Sequence, residues 1–179
     1  MRAIRRLVTI LLVLVVVLAL APVGLLGALT GRALPQTTGE LRLTGLHSTV
    51  TVIRDRAGIA QIYADDPHDL FFAQGFVHAQ DRLWQMEVWR HISSGRLSEL
   101  FGESQVDTDR FIRTLDWRGS AERDLASASD DVRAAMQAYA DGVNAFIDDN
   151  AGSLGLAFVM TGLQSGLGDG LAGYTPEPW

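Results

Sequence analysis

Asp65-Asp66-Pro67-His68-Asp69-Leu70-Phe71-Phe72-Ala73-Gln74-Gly75-Phe76-Val77-His78-Ala79-Gln80-Asp81-Arg82-Leu83-Trp84-Gln85-Met86-Glu87, running on to Gly95-Arg96-Leu97-Ser98-Glu99-Leu100-Phe101-Gly102, is the stretch around which the chain is organised. It opens as a helix. The Asp66 carboxylate is placed to accept hydrogen bonds from the free N–H groups of the first turn. Pro67 suits the first helical position, where its missing N–H is not needed, and Asp69 adds negative charge at the positive end. Leu70, Ala73, Val77, Trp84 and Val88 fall mostly on one face at helical spacing. Gly75 stands between bulky residues, so either the helix bends there or another element packs close. Gly95, just after Arg90 and His91, is the expected stop.

His78, Asp81, Arg82 and Gln85 stand at i, i+3, i+4 and i+7 and share a helix face. They read as a buried polar network that fixes how two helices dock, or as a metal or proton-transfer site. The first is preferred, because helix charges mostly make ordinary side-chain pairs. Gly-Phe-Val-His-Ala-Gln-Asp-Arg-Leu-Trp-Gln-Met-Glu (residues 75–87), followed by Gly-Arg-Leu-Ser-Glu (residues 95–99), resembles the penicillin acylase family. Its members are N-terminal nucleophile hydrolases that cleave amides. Tyr-Ala-Asp-Gly-Val-Asn-Ala (residues 139–145) and the terminal Pro-Glu-Pro-Trp (residues 176–179) are also similar to that family. One departure is local: where the family commonly has Val-Pro-His after a turn glycine, Ile59, Ala60 and Gln61 follow Gly58.

Composition sets the outer limits. The 179 residues allow one ordinary domain or part of a larger one. Cysteine is absent, which excludes disulfides and thiolate metal sites. Of the 15 basic residues, all Arg, four (Arg2, Arg5, Arg6 and Arg32) flank an apolar segment; the other 11 face 21 acidic residues. That excess argues against a nucleic-acid partner, since phosphate binding relies on a positive surface. Arg2, Arg5 and Arg6 precede an uncharged run over residues 7–31, roughly 25 long where about 20 span a bilayer. The basic end is expected to stay in the cytoplasm and send the rest across. A cleaved signal peptide is the rival reading: Ala19-Leu20-Ala21 resembles a small-x-small site, although Pro22 follows it directly. The uncleaved anchor is preferred.

Pro35 and the polar run Gln36-Thr37-Thr38-Gly39 mark a linker. Three strands are expected after it: Leu41–Gly45, Val50–Ile53 and Ile59–Ala64, the last two as an antiparallel hairpin around Arg54-Asp55-Arg56-Ala57-Gly58. Beyond Gly102 the chain reads as helical. Ser104 is the expected cap of a helix through Val106, Arg110, Phe111 and Arg113, extending to Leu125. Ser129 caps the next, whose apolar stripe is Val132, Ala135, Met136, Tyr139, Val143 and Ile147. A short helix is expected over residues 156–162.

Chemistry is sparse. There is no G-x-S-x-G elbow and no H-E-x-x-H spacing among His47, His68, His78 and His91. Glu87 and His91, at i and i+4, are spaced to pair or to bind a metal, with a solvated helix pair as the default reading, and Asp65–Asp66 and Asp148–Asp149 read as helix-end charges. Asp107-Thr108-Asp109 lacks the glycine and distant Glu of a calcium loop. Gly168-Asp169-Gly170-Leu171-Ala172-Gly173 matches G-x-G-x-x-G without a preceding strand or following helix. In the family the nucleophile is a Ser or related residue, exposed as a new N-terminus on a second, larger chain and activated by its own α-amino group. That chain typically opens with Ser-Asn, a dipeptide absent here. The family's acyl-pocket and calcium-contributing positions on the first chain lie beyond the matched segment, so no catalytic, substrate-binding or metal residue is assigned.

These readings give an α+β chain: an N-terminal membrane helix, a short antiparallel strand element and several packed helices, with the layered αββα fold implied by the resemblance. Residues 1–32 form a signal-anchor or signal peptide, 33–40 a linker, and 41–179 the incomplete N-terminal part of a penicillin acylase-like domain. The resemblance implies the N-terminal fragment of an amidohydrolase precursor that cleaves acyl-amide bonds, with a β-lactam side chain, an acyl-homoserine lactone or a similar acylated amine as substrate. Its partner is the nucleophile-bearing chain, and the chain alone is expected to be inactive. No cofactor belongs to this chain; calcium is an implication for the complete enzyme. The expected location is a membrane, reached through residues 7–31, facing the extracytoplasmic side, or the exterior if the signal is cleaved. The alternative is a non-catalytic, membrane-anchored helical binding protein.

Overall fold

The computed structural model describes residues 2–31, 34–151 and 154–161. In chain order the elements are α1 (Arg2–Gly31), β1 (Thr51–Arg54), β2 (Ala60–Tyr63), α2 (Pro67–Ser93), α3 (Leu97–Phe101), a 3-10 turn (Glu103–Gln105), α4 (Val106–Leu115), α5 (Trp117–Ser127), α6 (Asp130–Asp149) and α7 (Leu156–Met160). The α+β expectation is therefore corrected: the described residues are mostly helical, with one two-stranded sheet. Two strands of four residues cannot supply the sheet layers of an αββα sandwich. The membrane helix is corrected as well. Among the described residues no helix is long and apolar enough to cross a membrane. Pro22 lies within α1 and removes a helical donor. Residues 168–173 and 176–179, with their glycine run and Pro-Glu-Pro-Trp end, lie outside the described residues.

The hairpin forms where the β-branched residues are. β1 and β2 pair antiparallel, with Val52 opposite Ile62 and Arg54 opposite Ala60. Asp55 shapes the turn: its Oδ1 accepts from the N–H groups of Ala57 (2.8 Å) and Ile59 (2.9 Å). Gly58 takes the positive φ the turn requires, +81°. The strand expected at Leu41–Gly45 is absent. Gly45 has φ +113°, and a Cβ there would lie 2.8 Å from Phe72 Cε2. The chain turns against that ring rather than joining the sheet.

α2 starts as its sequence dictates. Asp66 is extended and its side chain accepts from the Asp69 N–H at 2.9 Å, with Pro67 in the first turn. It ends at Ser94, and Gly95 follows at φ +62°. Of the two roles open to Gly75, the structure selects close packing: a Cβ on it would fall 2.0 Å from the Tyr139 carbonyl oxygen. α6 returns the contact, since a Cβ on Gly142 would fall 1.9 Å from the Phe72 oxygen. The break in α2 lies elsewhere, at Arg82 (φ −143°, ψ 19°). Around the glycine contact Phe72, Phe76 and Ala138 are buried, and Ala79 and Leu83 share one core with Val143, Ile147 and Phe158 of α7. Phe76–Phe146 and Trp84–Phe158 meet edge to face. The expected α6 stripe is buried only in its second half: Val143 is wholly covered, whereas Val132 and Met136 are exposed.

The single helix expected from Ser104 to Leu125 is two. Asp116 adopts the left-handed conformation (φ 55°, ψ 42°), which Asp tolerates better than most residues, and separates α4 from α5. Ser104 lies in the 3-10 turn and does not cap α4. The Ser129 cap forms, accepting from the Val132 N–H at 3.4 Å.

Gly142→Ala should destabilise the chain by about 2 kcal/mol net, overpacking outweighing the gain in helix propensity. Gly119→Ala is the control. There the built Cβ meets only the carboxylate end of Asp116, which can rotate away, so stability should stay within about 1 kcal/mol of the parent. Urea titration followed by far-UV circular dichroism reads both.

Candidate functional site

The shared polar face of α2 is divided by the break at Arg82. His78 Nδ1 lies 3.0 Å from the Tyr139 hydroxyl of α6, with the two rings edge to face. Asp81 does not pair with Arg82. It accepts both guanidinium nitrogens of Arg54 on β1, at 2.8 and 2.9 Å, and Arg54 also donates to Gln80 Oε1 at 2.9 Å. Arg82 and Gln85 are exposed. The expected buried network is thus a partly exposed fork that ties the hairpin to α2. Tyr139 packs against the core shared by α2 and α6.

The buried charges lie elsewhere. Glu87 and His91 are each 2% exposed. His91 Nδ1 sits 3.2 Å from Glu87 Oε1 and 3.0 Å from the Glu87 carbonyl, and Arg90 donates to Glu87 Oε2 at 3.0 Å. His91 Nε2 faces Glu99 of α3 at 3.8 Å, and Arg96 holds Glu99 in a fork at 2.9 Å. The pair read as solvated in the sequence is therefore the buried joint between α2 and α3. Burial pushes the His91 pKa down, but its hydrogen bonds to the Glu87 carboxylate and carbonyl outweigh it and raise the pKa above its ordinary value. Asp109 is buried beside this joint and accepts from the Leu97 and Ser98 N–H groups at 2.7 and 2.9 Å, capping α3. Burial raises its pKa; the bonds from Ser98 and Leu97, with Arg113 nearby, more than reverse that.

The densest group of metal-capable side chains is at the start of α2. Asp69 is fully buried. Its carboxylate accepts from the His47 N–H (2.9 and 3.1 Å), the Ser48 N–H (2.8 Å) and His68 Nδ1 (3.0 Å). Burial opposes its charge, but these bonds win and lower its pKa. His47 stacks on His68 with ring centroids 4.1 Å apart, and its Nδ1 stands 3.5 Å from Asp66 Oδ2. Beside them opens a cleft of about 450 Å³ lined by Arg42, Thr44, His68, Asp141, Asn144 and Asp148. Sequence reasoning capped α2 with Asp66 but left His47, His68 and Asp69 apart; no periodicity links a loop to a helix start.

Two outcomes follow from this geometry. Asp81→Ala should cost about 1 kcal/mol, the range of a partly exposed pair, rather than the 3–5 kcal/mol of a buried one. A double-mutant cycle with Arg54→Ala checks this. For His91 the folded chain holds its proton more tightly than the unfolded chain. Its contribution to stability is complete below the unfolded value of about pH 6.5 and is lost as pH rises through the raised folded value. Urea midpoints measured from about pH 6 to pH 9 should show that decline, and Glu87→Gln should flatten it.

Comparison with known proteins places this geometry. The penicillin amidase family profile matches residues 49–179. The penicillin acylase 2 proenzyme of Pseudomonas sp. (strain SE83) is 37% identical over 147 residues, covering 82% of this chain and 17% of that protein. The acyl-homoserine lactone acylase QuiP of Pseudomonas putida is 36% identical over 163 residues, covering 89% of this chain and 19% of that protein. The solved structure of a thermostable penicillin G acylase from Alcaligenes faecalis superposes with a TM-score of 0.58 at 28% identity, over 73% of this chain and 65% of that one. This chain spans less than a fifth of the length of those two sequence relatives. With the profile match running from the hairpin through α6 and beyond, the chain belongs to the penicillin amidase family.

Proposed function

We propose that this chain is the N-terminal part of an acylase-like amidohydrolase precursor that cleaves acyl-amide bonds. The observation that carries the reading is its 36–37% identity to a penicillin acylase and an acyl-homoserine lactone acylase over most of the chain. The substrate class is a small acylated amine, a β-lactam side chain or an acyl-homoserine lactone. The nucleophile belongs to a second chain of the same precursor. There a terminal Ser or related residue attacks the amide carbonyl while its own amino group takes the proton.

In this reading α2 and α6 are scaffold, and the exposed outer edges of β1 and β2 are open to strands of the second chain. Any calcium of the complete enzyme belongs to positions beyond the matched segment. Arg2, Arg5 and Arg6 ahead of the uncharged run over residues 7–31 support export, so the complete enzyme works outside the cytoplasm.

The test expresses the genomic reading frame that encodes this chain and assays it on a phenylacetyl amide and a long-chain acyl-homoserine lactone. The expected result is a precursor that cleaves itself into two chains and releases the free acid, while the present chain alone releases none. Turnover by this chain alone, or no hydrolysis by the whole reading frame, would overturn the proposal.

A further inference from the structure

We propose that His47, Asp66, His68 and Asp69 form a binding site for a divalent transition-metal ion of the zinc class, where the loop before β1 meets the start of α2. Their four ligand atoms lie within 4.8 Å of one another. His68 Nδ1 is 3.0 Å from Asp69 Oδ1, His47 Nδ1 is 3.5 Å from Asp66 Oδ2, and His47 Nδ1 is 3.9 Å from Asp69 Oδ1. A tetrahedral ion with ligand bonds near 2.1 Å needs neighbouring donors about 3.4 Å apart. The observed separations bracket that value. Both imidazoles turn Nδ1 toward the same Asp69 oxygen, so a single ion can meet all four side chains.

The oxygen donors are already oriented. Asp69 is held by the His47 and Ser48 N–H groups, and Asp66 Oδ1 by the Asp69 N–H, which leaves Asp66 Oδ2 facing His47. Such outer hydrogen bonds commonly fix metal ligands in place. Capping accounts for Asp66, and pinning the loop accounts for Asp69. Neither accounts for two imidazoles stacked against them.

Charge points the same way. The Asp66 and Asp69 carboxylates face about half a positive charge from the helix end. Asp141, Asp148 and Asp149 line the adjoining cleft against one Arg42. Two nitrogen and two oxygen donors suit zinc, nickel or copper; calcium prefers six to eight oxygens. A bound ion takes the Nδ1 lone pair of His68, with the ring proton on Nε2. Asp69 Oδ1 exchanges its hydrogen bond with His68 for the metal. The His47 side chain is 62% exposed and gives the ion a way in from solvent.

The proposal stands apart from the acylase reading. The test strips the purified chain with a chelator and titrates it with zinc by calorimetry, then with cobalt as a spectroscopic probe. One equivalent of zinc should bind, and cobalt should give the intense visible bands of a tetrahedral site. His47→Ala should weaken zinc binding at least about tenfold. Asp66→Asn should do the same while preserving the helix cap, for which Asn serves as well as Asp. His78→Ala, outside the cluster, should leave binding unchanged. Circular dichroism confirms that each variant is folded. Absence of zinc binding, binding that survives both His47→Ala and Asp66→Asn, or a weak octahedral cobalt spectrum would overturn the proposal.

Discussion

The fold depends on how closely α2 and α6 approach. At Gly75 and Gly142 each helix meets the other's backbone carbonyl with no side chain between them. Two reciprocal contacts of this kind fix both the separation and the register of the pair. Ala79, Leu83, Val143 and Ile147 can then pack into one core. The hairpin, α3 and α7 attach to that pair, each by a different means. The hairpin uses the Arg54–Asp81 fork, α3 the Glu87–His91–Glu99 joint, and α7 the insertion of Phe158.

Three buried carboxylates do comparable work at three junctions. Asp69 holds the 47–48 loop to α2, Glu87 serves the turn into α3, and Asp109 caps α3. Each has its burial cost offset by hydrogen bonds or a charged neighbour. A helical assembly with connecting loops needs such anchors because free N–H groups at helix starts and in turns must be satisfied before they can be covered. The same need draws ionisable groups inside, where the chemistry of the chain is concentrated.

Local rules made much of this legible in the sequence. Asp66, Pro67, Gly95 and Ser129 mark helix ends through short-range geometry, and all four behave as read. The hairpin follows from β-branched runs about a turn. What could not be read depends on distance along the chain. Asp69 binds a loop 22 residues earlier, and Asp109 caps a helix 12 residues back. The spacing of Glu87 and His91 was visible, but their burial arises only because the chain reverses after Gly95 and lays α3 over them. The His47–His68 stack has the same origin. The strand expected near Leu41 was outweighed by packing of Gly45 on Phe72, and the long helix after Ser104 by a single left-handed Asp116.

The break at Arg82 divides α2 into two segments that keep one buried side. Phe72, Phe76 and Ala79 stand before it, and Leu83, Glu87 and His91 after it. Ala79 and Leu83, one on each side of the break, meet the same core with Val143 and Ile147. The helix bends like a jointed arm kept in one sleeve, without leaving its neighbours. Substitutions on either side of the joint therefore share partners, and their effects are expected to couple rather than add.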